Sequence, residues 1–207
     1  MRLHAIRDAS NDRDRLLIER HHRLRAQVFQ DRLEWSVDVV DGQEADEYDS
    51  LSPTYILAVI ENGTVAGCAR LLPATGPTML EQTFPQLLAA GRLTSHPAMI
   101  ESSRFCVDTS IGEGRGGAIH DATLSMFAGI IEWAMENGYD EIVTATDIRF
   151  ERILKRAGWP MQRLGEPQQI GNTIAVAGSL AADIASFNRV RPSGYCSMMP
   201  PGLRHAA

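Results

Sequence analysis

TYILAVIENGTVAGCARLL, residues 54–72, is the stretch that decides the fold class. Two runs rich in β-branched and apolar residues, 54–60 and 64–72, flank Glu61-Asn62-Gly63. Asn and Gly tolerate the positive φ angles of a type I′ turn, so the stretch predicts a β-hairpin. Pro73 and the Thr75-Gly76-Pro77 cluster end its second strand.

Upstream, residues 13–30 place Leu16, Leu17, Ile18, Leu24, Val28 and Phe29 near helical spacing against a charged face, with Asn11 or Asp12 able to cap the start. Residues 31–53 have no convincing period and read as a loop holding Trp35 and a cluster of acids: Asp41, Glu44, Asp46, Glu47 and Asp49. Downstream, 79–90 reads as a short helix interrupted at Pro85, and MIESSRFCV (99–107) as a strand. The glycine-rich DTSIGEGRGG (108–117) leads into a helix at 118–137. A strand at 141–147, a helix at 149–159, a β run within 168–180 and a last helix at 181–190 follow. Strands mixed with helices, opening on a hairpin, predict an α/β (α+β) single domain: a mixed twisted sheet flanked by helices.

The chain has 207 residues, 44% of them hydrophobic and 22% charged, which argues against disorder. Its net charge of −6 speaks against a general nucleic-acid binder. The N-terminus lacks the apolar core of a signal peptide, and no run reaches the ~18 apolar residues of a membrane span. Cys68, Cys106 and Cys196 have no metal-ligand spacing; the first two read as buried thiols in a reducing cytoplasm. No metal is expected.

Four clusters could carry chemistry. Arg25 and Phe29, at i and i+4, share a helix face, with Trp35 following. Asp46 and Asp49 are either solvated charge or, folded over a pocket, a site for a cationic group such as an amine or sulfonium. Arg70 ends the hairpin. In Glu101-Ser102-Ser103-Arg104-Phe105, strand alternation puts Glu101 and Ser103 on one face and Ser102 and Arg104 on the other, unless a bulge intervenes. Glu101 is either a general base in a closed pocket or a structural ion-pair partner. Gly112-x-Gly114-x-x-Gly117 matches a dinucleotide fingerprint, but the hairpin opening argues against that fold.

Taken in order, Arg25, Phe29, Trp35, Asp46-x-x-Asp49, Arg70, ARLLPATGPTMLEQTF (69–84) with Phe84, and Glu101-x-x-Arg104 resemble the LuxI-type acyl-homoserine-lactone (autoinducer) synthases, near the TraI-like branch. The resemblance implies a fold similar to the GCN5-type N-acetyltransferases, with residues 1–50 as a cap and 51–207 as an acyltransferase-like core. It implies S-adenosylmethionine as a substrate rather than a cofactor, and an acyl-acyl-carrier-protein as partner. Amide formation, lactonisation and release of methylthioadenosine would follow.

By the same resemblance, Glu101, Arg104, Asp46 and Arg70 are the catalytic set. Arg25, Phe29, Trp35, Asp46, Asp49, Arg104 and Phe105 bind S-adenosylmethionine. Phe84, Met126, Thr144, Thr146 and Leu154 line the acyl pocket, where either threonine could meet a 3-oxo group. Arg149, Arg152, Lys155 and Arg156, on the helix 149–156, would dock the acidic carrier. An N-acyltransferase of the same fold, using acyl-CoA and another amine, is the alternative reading.

Overall fold

A computed structural model describes residues 1–111 and 119–199. The strands are β1 (Arg2–Ile6), β2 (Val39–Val40), β3 (Gln43–Glu44), β4 (Thr54–Val59), β5 (Val65–Pro73), β6 (Met99–Val107), β7 (Glu141–Asp147), β8 (Gln162–Arg163), β9 (Gln168–Ile170) and β10 (Thr173–Ala181). The α-helices are α1 (Asp12–Arg25), α2 (Met79–Gln82), α3 (Asp121–Glu136), α4 (Ile148–Arg156) and α5 (Ile184–Val190). Among the described residues no helix is long and apolar enough to cross a membrane. The glycine-rich run Gly112 to Gly117, whose match to a dinucleotide fingerprint the hairpin opening argues against, lies outside the described residues.

The main sheet runs β1-β4-β5-β6-β7-β10-β8, with β9 also on β10. Its pairs are antiparallel except β6 with β7, so the sheet is mixed, as expected. One face is covered by α1, the segment that continues it to Arg32, and α2, through Leu17, Leu24, Phe29 and Leu80. The other carries α3, α4 and α5, packed through Phe127, Ile131, Leu154 and Phe187. β1, read only as a non-signal N-terminus, pairs in register with β4. Residues 2–6 therefore belong to the core sheet rather than to a cap ending at residue 50.

The decisive hairpin forms at β4–β5, but its turn is not type I′. Gly63 alone has positive φ (79°), and the N–H of Ile60 donates to the Thr64 carbonyl at 3.0 Å across a three-residue loop. Asn62 stays out of the left-handed region because its side-chain oxygen accepts from the Thr64 N–H at 2.9 Å, an Asx turn. The two-residue turn with positive φ at both centres occurs instead at Asp41 (52°) and Gly42 (73°), joining β2 to β3. That region was expected to be a loop.

Two irregularities position the site. α1 is capped by Asn11, whose side chain accepts from the Asp14 N–H at 2.9 Å. After Arg25 it widens into a π-helical segment, Ala26–Arg32, where the Leu33 N–H reaches Val28 O at 3.0 Å. In β6, the pairing to β5 shifts between Arg70↔Ser103 and Cys68↔Cys106, and Arg104 takes φ 52°. This bulge reverses the strand's facing. Ile100 and then Phe105 and Val107 pack on the α3 side, whereas Cys106 packs on the α1 side.

Candidate active site

Three arginines converge on three carboxylates beneath the segment 44–49. Arg25, at the end of α1, donates Nε to Glu44 and both Nη atoms to Asp49, at 2.8 and 2.9 Å. Arg70, on β5, donates to Asp46 and to Asp49 (2.9 Å), and its Nε reaches Ser103 Oγ at 3.1 Å. Arg104 meets Glu44 with Nε at 3.0 Å and Asp46 with Nη2 at 2.8 Å. Three positive and three negative side chains cancel, which is what makes the burial of so much charge tolerable.

The backbone explains why these acids arrive together. The Asp41-Gly42 turn brings Glu44 inward, and His22 Nδ1 lies 2.7 Å from the Glu44 carbonyl oxygen. Asp46 caps a 3-10 turn over Glu47–Leu51: its side chain accepts from the Tyr48 N–H, and Asp49 Oδ2 accepts from the Asp46 N–H at 2.9 Å. Tyr55 donates its hydroxyl to Asp49 at 2.8 Å. Burial pushes the Asp49 carboxyl up, but Arg25 and Arg70 outweigh it and hold it well below the usual carboxylate range. Burial, reinforced by Asp49, pushes the Tyr55 phenol up, so it stays a donor.

Exposure sorts the cluster into a base and a rim. Arg25, Arg70 and Glu44 side chains are sealed at 0%, whereas Asp46 and Asp49 retain 11% and Arg104 13%. A wall stands beside the rim: the Phe29 and Trp35 rings stack at 5.3 Å and 7°, and the Arg104 guanidinium lies 5.6 Å over Phe29. The expectation that Arg104 faces away from Glu101 and Ser103 is corrected here. Its left-handed φ turns its side chain onto their face, a position a bulge normally gives to glycine.

Glu101 is 1% exposed and accepts the N–H groups of Met79 (3.0 Å) and Leu80 (2.8 Å) at the start of α2. Burial raises its carboxyl, and those two N–H groups partly oppose the rise. Each carboxylate oxygen keeps a second lone pair for another proton. The structure thus brings Glu101 to the face that holds Arg25, Arg70, Arg104, Asp46, Asp49, Phe29 and Trp35.

Phe105 does not join them. Behind the bulge its ring lies on the other face, 4.9 Å from Phe150 and 5.4 Å from Phe127. The acyl-pocket residues divide likewise. Phe84 packs with Leu80, Leu87 and Ala145 on the α2 side. Met126 and Leu154 lie in the cluster under α3 and α4, and Thr144 and Thr146 alternate with Ala145 toward that cluster. β6 and β7 pair only from Met99↔Glu141 to Glu101↔Val143. Beyond Glu101 the two strands separate, with Phe105 on one bank and Thr144 on the other.

Cys68 and Cys106 are buried free thiols with sulfurs 3.3 Å apart; burial and the neighbouring thiol push Cys106 up, away from nucleophilic character. On α4, Arg149, Arg152, Lys155 and Arg156 are all exposed. The helix's one acid, Glu151, is engaged by Arg163 through two bonds of 2.7 Å.

Sequence reasoning missed Glu44 and Tyr55 as site residues, and also a cavity of about 370 Å³ lined by Gln27, Val28, Asp31, Arg32, Asp108, Thr109 and Ser110. The Asp41-Gly42 pair was the available signal for Glu44, since it is a strong hairpin marker.

A family model described as autoinducer synthase matches residues 9–190. An acyl-homoserine-lactone synthase of Rhizobium radiobacter is 67% identical over 88% of this chain and 86% of that protein. The structure of BjaI, a CoA-dependent acyl-homoserine lactone synthase solved with SAM and isopentyl-CoA, superposes with a TM-score of 0.83 at 25% identity, covering 96% of this chain and 93% of that one. An N-acetyltransferase structure from Lactobacillus plantarum, at 13% identity and a TM-score of 0.53 over 88% of this chain and all of that one, shows the shared fold alone. With nearly nine-tenths of its length matched by the family model, the chain belongs to the autoinducer synthases, the acyl-homoserine-lactone synthases.

Proposed function

We propose that the chain acts as one catalytic unit in the cytoplasm, with the arginine–acid cluster holding the methionine head of S-adenosylmethionine and the β6–β7 opening admitting the acyl thioester. The single observation that carries this reading is the buried, charge-balanced cluster whose rim (Asp46, Asp49, Arg104) faces outward beside the separated strands. Asp46 accepts four bonds against five at Asp49, and on this reading Asp46 is the acid for the substrate amine and Arg104 the cation for its carboxylate. Arg70 holds Asp46 in place. The cavity beside Val28 is of ligand size and carries hydroxyls and acids suited to the nucleoside arm.

Glu101 takes a proton from the ammonium, directly or through a water. The freed amine attacks the thioester carbonyl carbon; the carbon–sulfur bond breaks and the thiol leaves with a proton. The substrate carboxylate then attacks its own γ-carbon. The carbon–sulfonium bond breaks, the electron pair stays on sulfur, and neutral methylthioadenosine departs. The chain needs no acyl-enzyme, in keeping with buried Cys106.

The exposed basic face of α4 supports an acidic carrier protein as donor, and Thr144 and Thr146 on the bank of the opening support a 3-oxo acyl chain of medium length. The CoA-dependent relative keeps acyl-CoA as the second donor to test. Purified protein is incubated with S-adenosylmethionine and either acyl-carrier protein or acyl-CoA, and products are read by mass spectrometry. N-acyl-homoserine lactone with equimolar methylthioadenosine is expected, faster from the carrier. An acylated amine without methylthioadenosine overturns the reading.

A further inference from the structure

We infer that Glu44, a residue outside the expected catalytic set, is the positioning residue that aims Arg104 at the substrate carboxylate; this rests on the functional reading above. Glu44 is fully buried and touches no open surface, so it does not contact substrate itself. Its two carboxylate oxygens take the Nε atoms of two different arginines, Arg25 on one and Arg104 on the other. Asp46 and Asp49 take Nη atoms instead.

That distinction matters for geometry. A guanidinium is planar, so fixing Nε together with one Nη fixes the direction of the remaining Nη. Glu44 holds Nε of Arg104 and Asp46 holds Nη2. Nη1 is left, and its polar neighbour among the described residues is the soft sulfur of Met79 at 3.5 Å. That thioether is a weak acceptor, and a substrate carboxylate, a far stronger one, would take Nη1 in its place.

Arg104 also needs such a hold. Its φ of 52° is a conformation that costs a non-glycine residue about 1–3 kcal/mol, and it persists only where surroundings enforce it. Glu44 is well placed to enforce it because it is itself fixed from three sides: by the Asp41-Gly42 hairpin, by His22 against its carbonyl oxygen, and by Arg25.

The test is a double-mutant cycle with Glu44→Gln and Arg104→Lys, reading KM and kcat for both substrates and calorimetric binding of S-adenosylmethionine. Lysine keeps the charge of Arg104 but has no Nε. Glu44→Gln is expected to weaken S-adenosylmethionine binding and raise its KM by about tenfold to a hundredfold, leaving the acyl-donor KM unchanged. In the Arg104→Lys background the same change is expected to add little. Glu44→Asp, which keeps the charge one methylene short, is expected to fall between. If Glu44→Gln folds poorly, Glu44→Asp carries the cycle alone.

Additive losses, equal rises in both KM values, or a lowered melting temperature with unchanged kinetics per folded molecule would each overturn the inference. Wild-type turnover separates the two levels. A wild type that makes no lactone overturns the functional reading and this inference together; normal wild-type turnover with an additive cycle overturns only the role of Glu44.

Discussion

Arg25, Arg70 and Arg104 on one side of the molecule, and Arg149, Arg152, Lys155 and Arg156 on the other, are similar side chains in opposite physical settings. The first three are almost wholly out of water, and every one is bonded to at least two carboxylates. The α4 set is exposed, and the helix's own acid, Glu151, pairs with Arg163. Buried charge is sensitive to tenths of an ångström, because a lost partner leaves its mate unsolvated. Exposed charge is screened by salt and acts mainly on encounter rate. On the function proposed above, one set specifies a small ligand by geometry, and the other attracts a large one by sign.

The sharpest way to break this contrast is Arg25→Met. It leaves two buried acids, Glu44 and Asp49, each short of one arginine and the cluster with an excess negative charge, and a loss of about 3–5 kcal/mol is expected in denaturant unfolding. A loss below 1 kcal/mol, on the scale of a surface pair, would mean that the cluster is wetter than its geometry suggests.

Next in size is Glu101→Gln, for which kcat is expected to drop about 10²–10⁴-fold with the S-adenosylmethionine KM little changed. A base works when ionised, and the Glu101 carboxyl is raised by burial. Wild-type kcat/KM is therefore expected to climb as pH rises through that raised value, and the Gln variant to lack that acid limb in a pH–rate profile.

Reversing the other set, with Arg149→Glu and Arg152→Glu together, is expected to raise the carrier-protein KM roughly tenfold at low salt and much less at high salt. The KM for S-adenosylmethionine should not move. An effect that survives high salt would place α4 in a specific contact instead of a steering field.

The smallest expected effect concerns His21, beneath the cluster. It is fully buried, its ring lies 4.3 Å from that of Tyr55, and burial, then His22 and Arg25, lower its pKa well below 6.5. The unfolded chain takes up this proton below about pH 6.5 while the folded chain does not, so stability falls as pH drops through that value, by at most about 1.4 kcal/mol per unit. His21→Phe should flatten part of that slope in chemical unfolding followed between neutral and mildly acidic pH.

The pattern of side chains made the α/β class, the β4–β5 hairpin, β6 and β7 legible, because alternation and turn chemistry are local. Much of the candidate site's membership was legible too, since Arg25, Phe29, Trp35, Asp46, Asp49, Arg70, Glu101 and Arg104 lie on one face of the sheet. What escaped was non-local. β1 is an edge strand whose partner lies some fifty residues away, and five residues carry too short a pattern to announce it. The π-helical widening after Arg25 has no propensity signature. Arg104 in a left-handed conformation contradicts its own residue preference, so alternation sent it to the face opposite Glu101 and put Phe105 beside Glu101 in its place. Glu44 was visible only as one acid among five, although the Asp41-Gly42 turn beside it was a readable hairpin marker.

Calorimetric titration of S-adenosylmethionine into the wild type, Arg104→Ala and the α4 double reversal tests the central claim most directly. One molecule bound per wild-type chain, unchanged affinity in the α4 variant, and at least about tenfold weaker binding in Arg104→Ala are the results predicted. A folded Arg104→Ala protein that binds as tightly as the wild type would contradict the account.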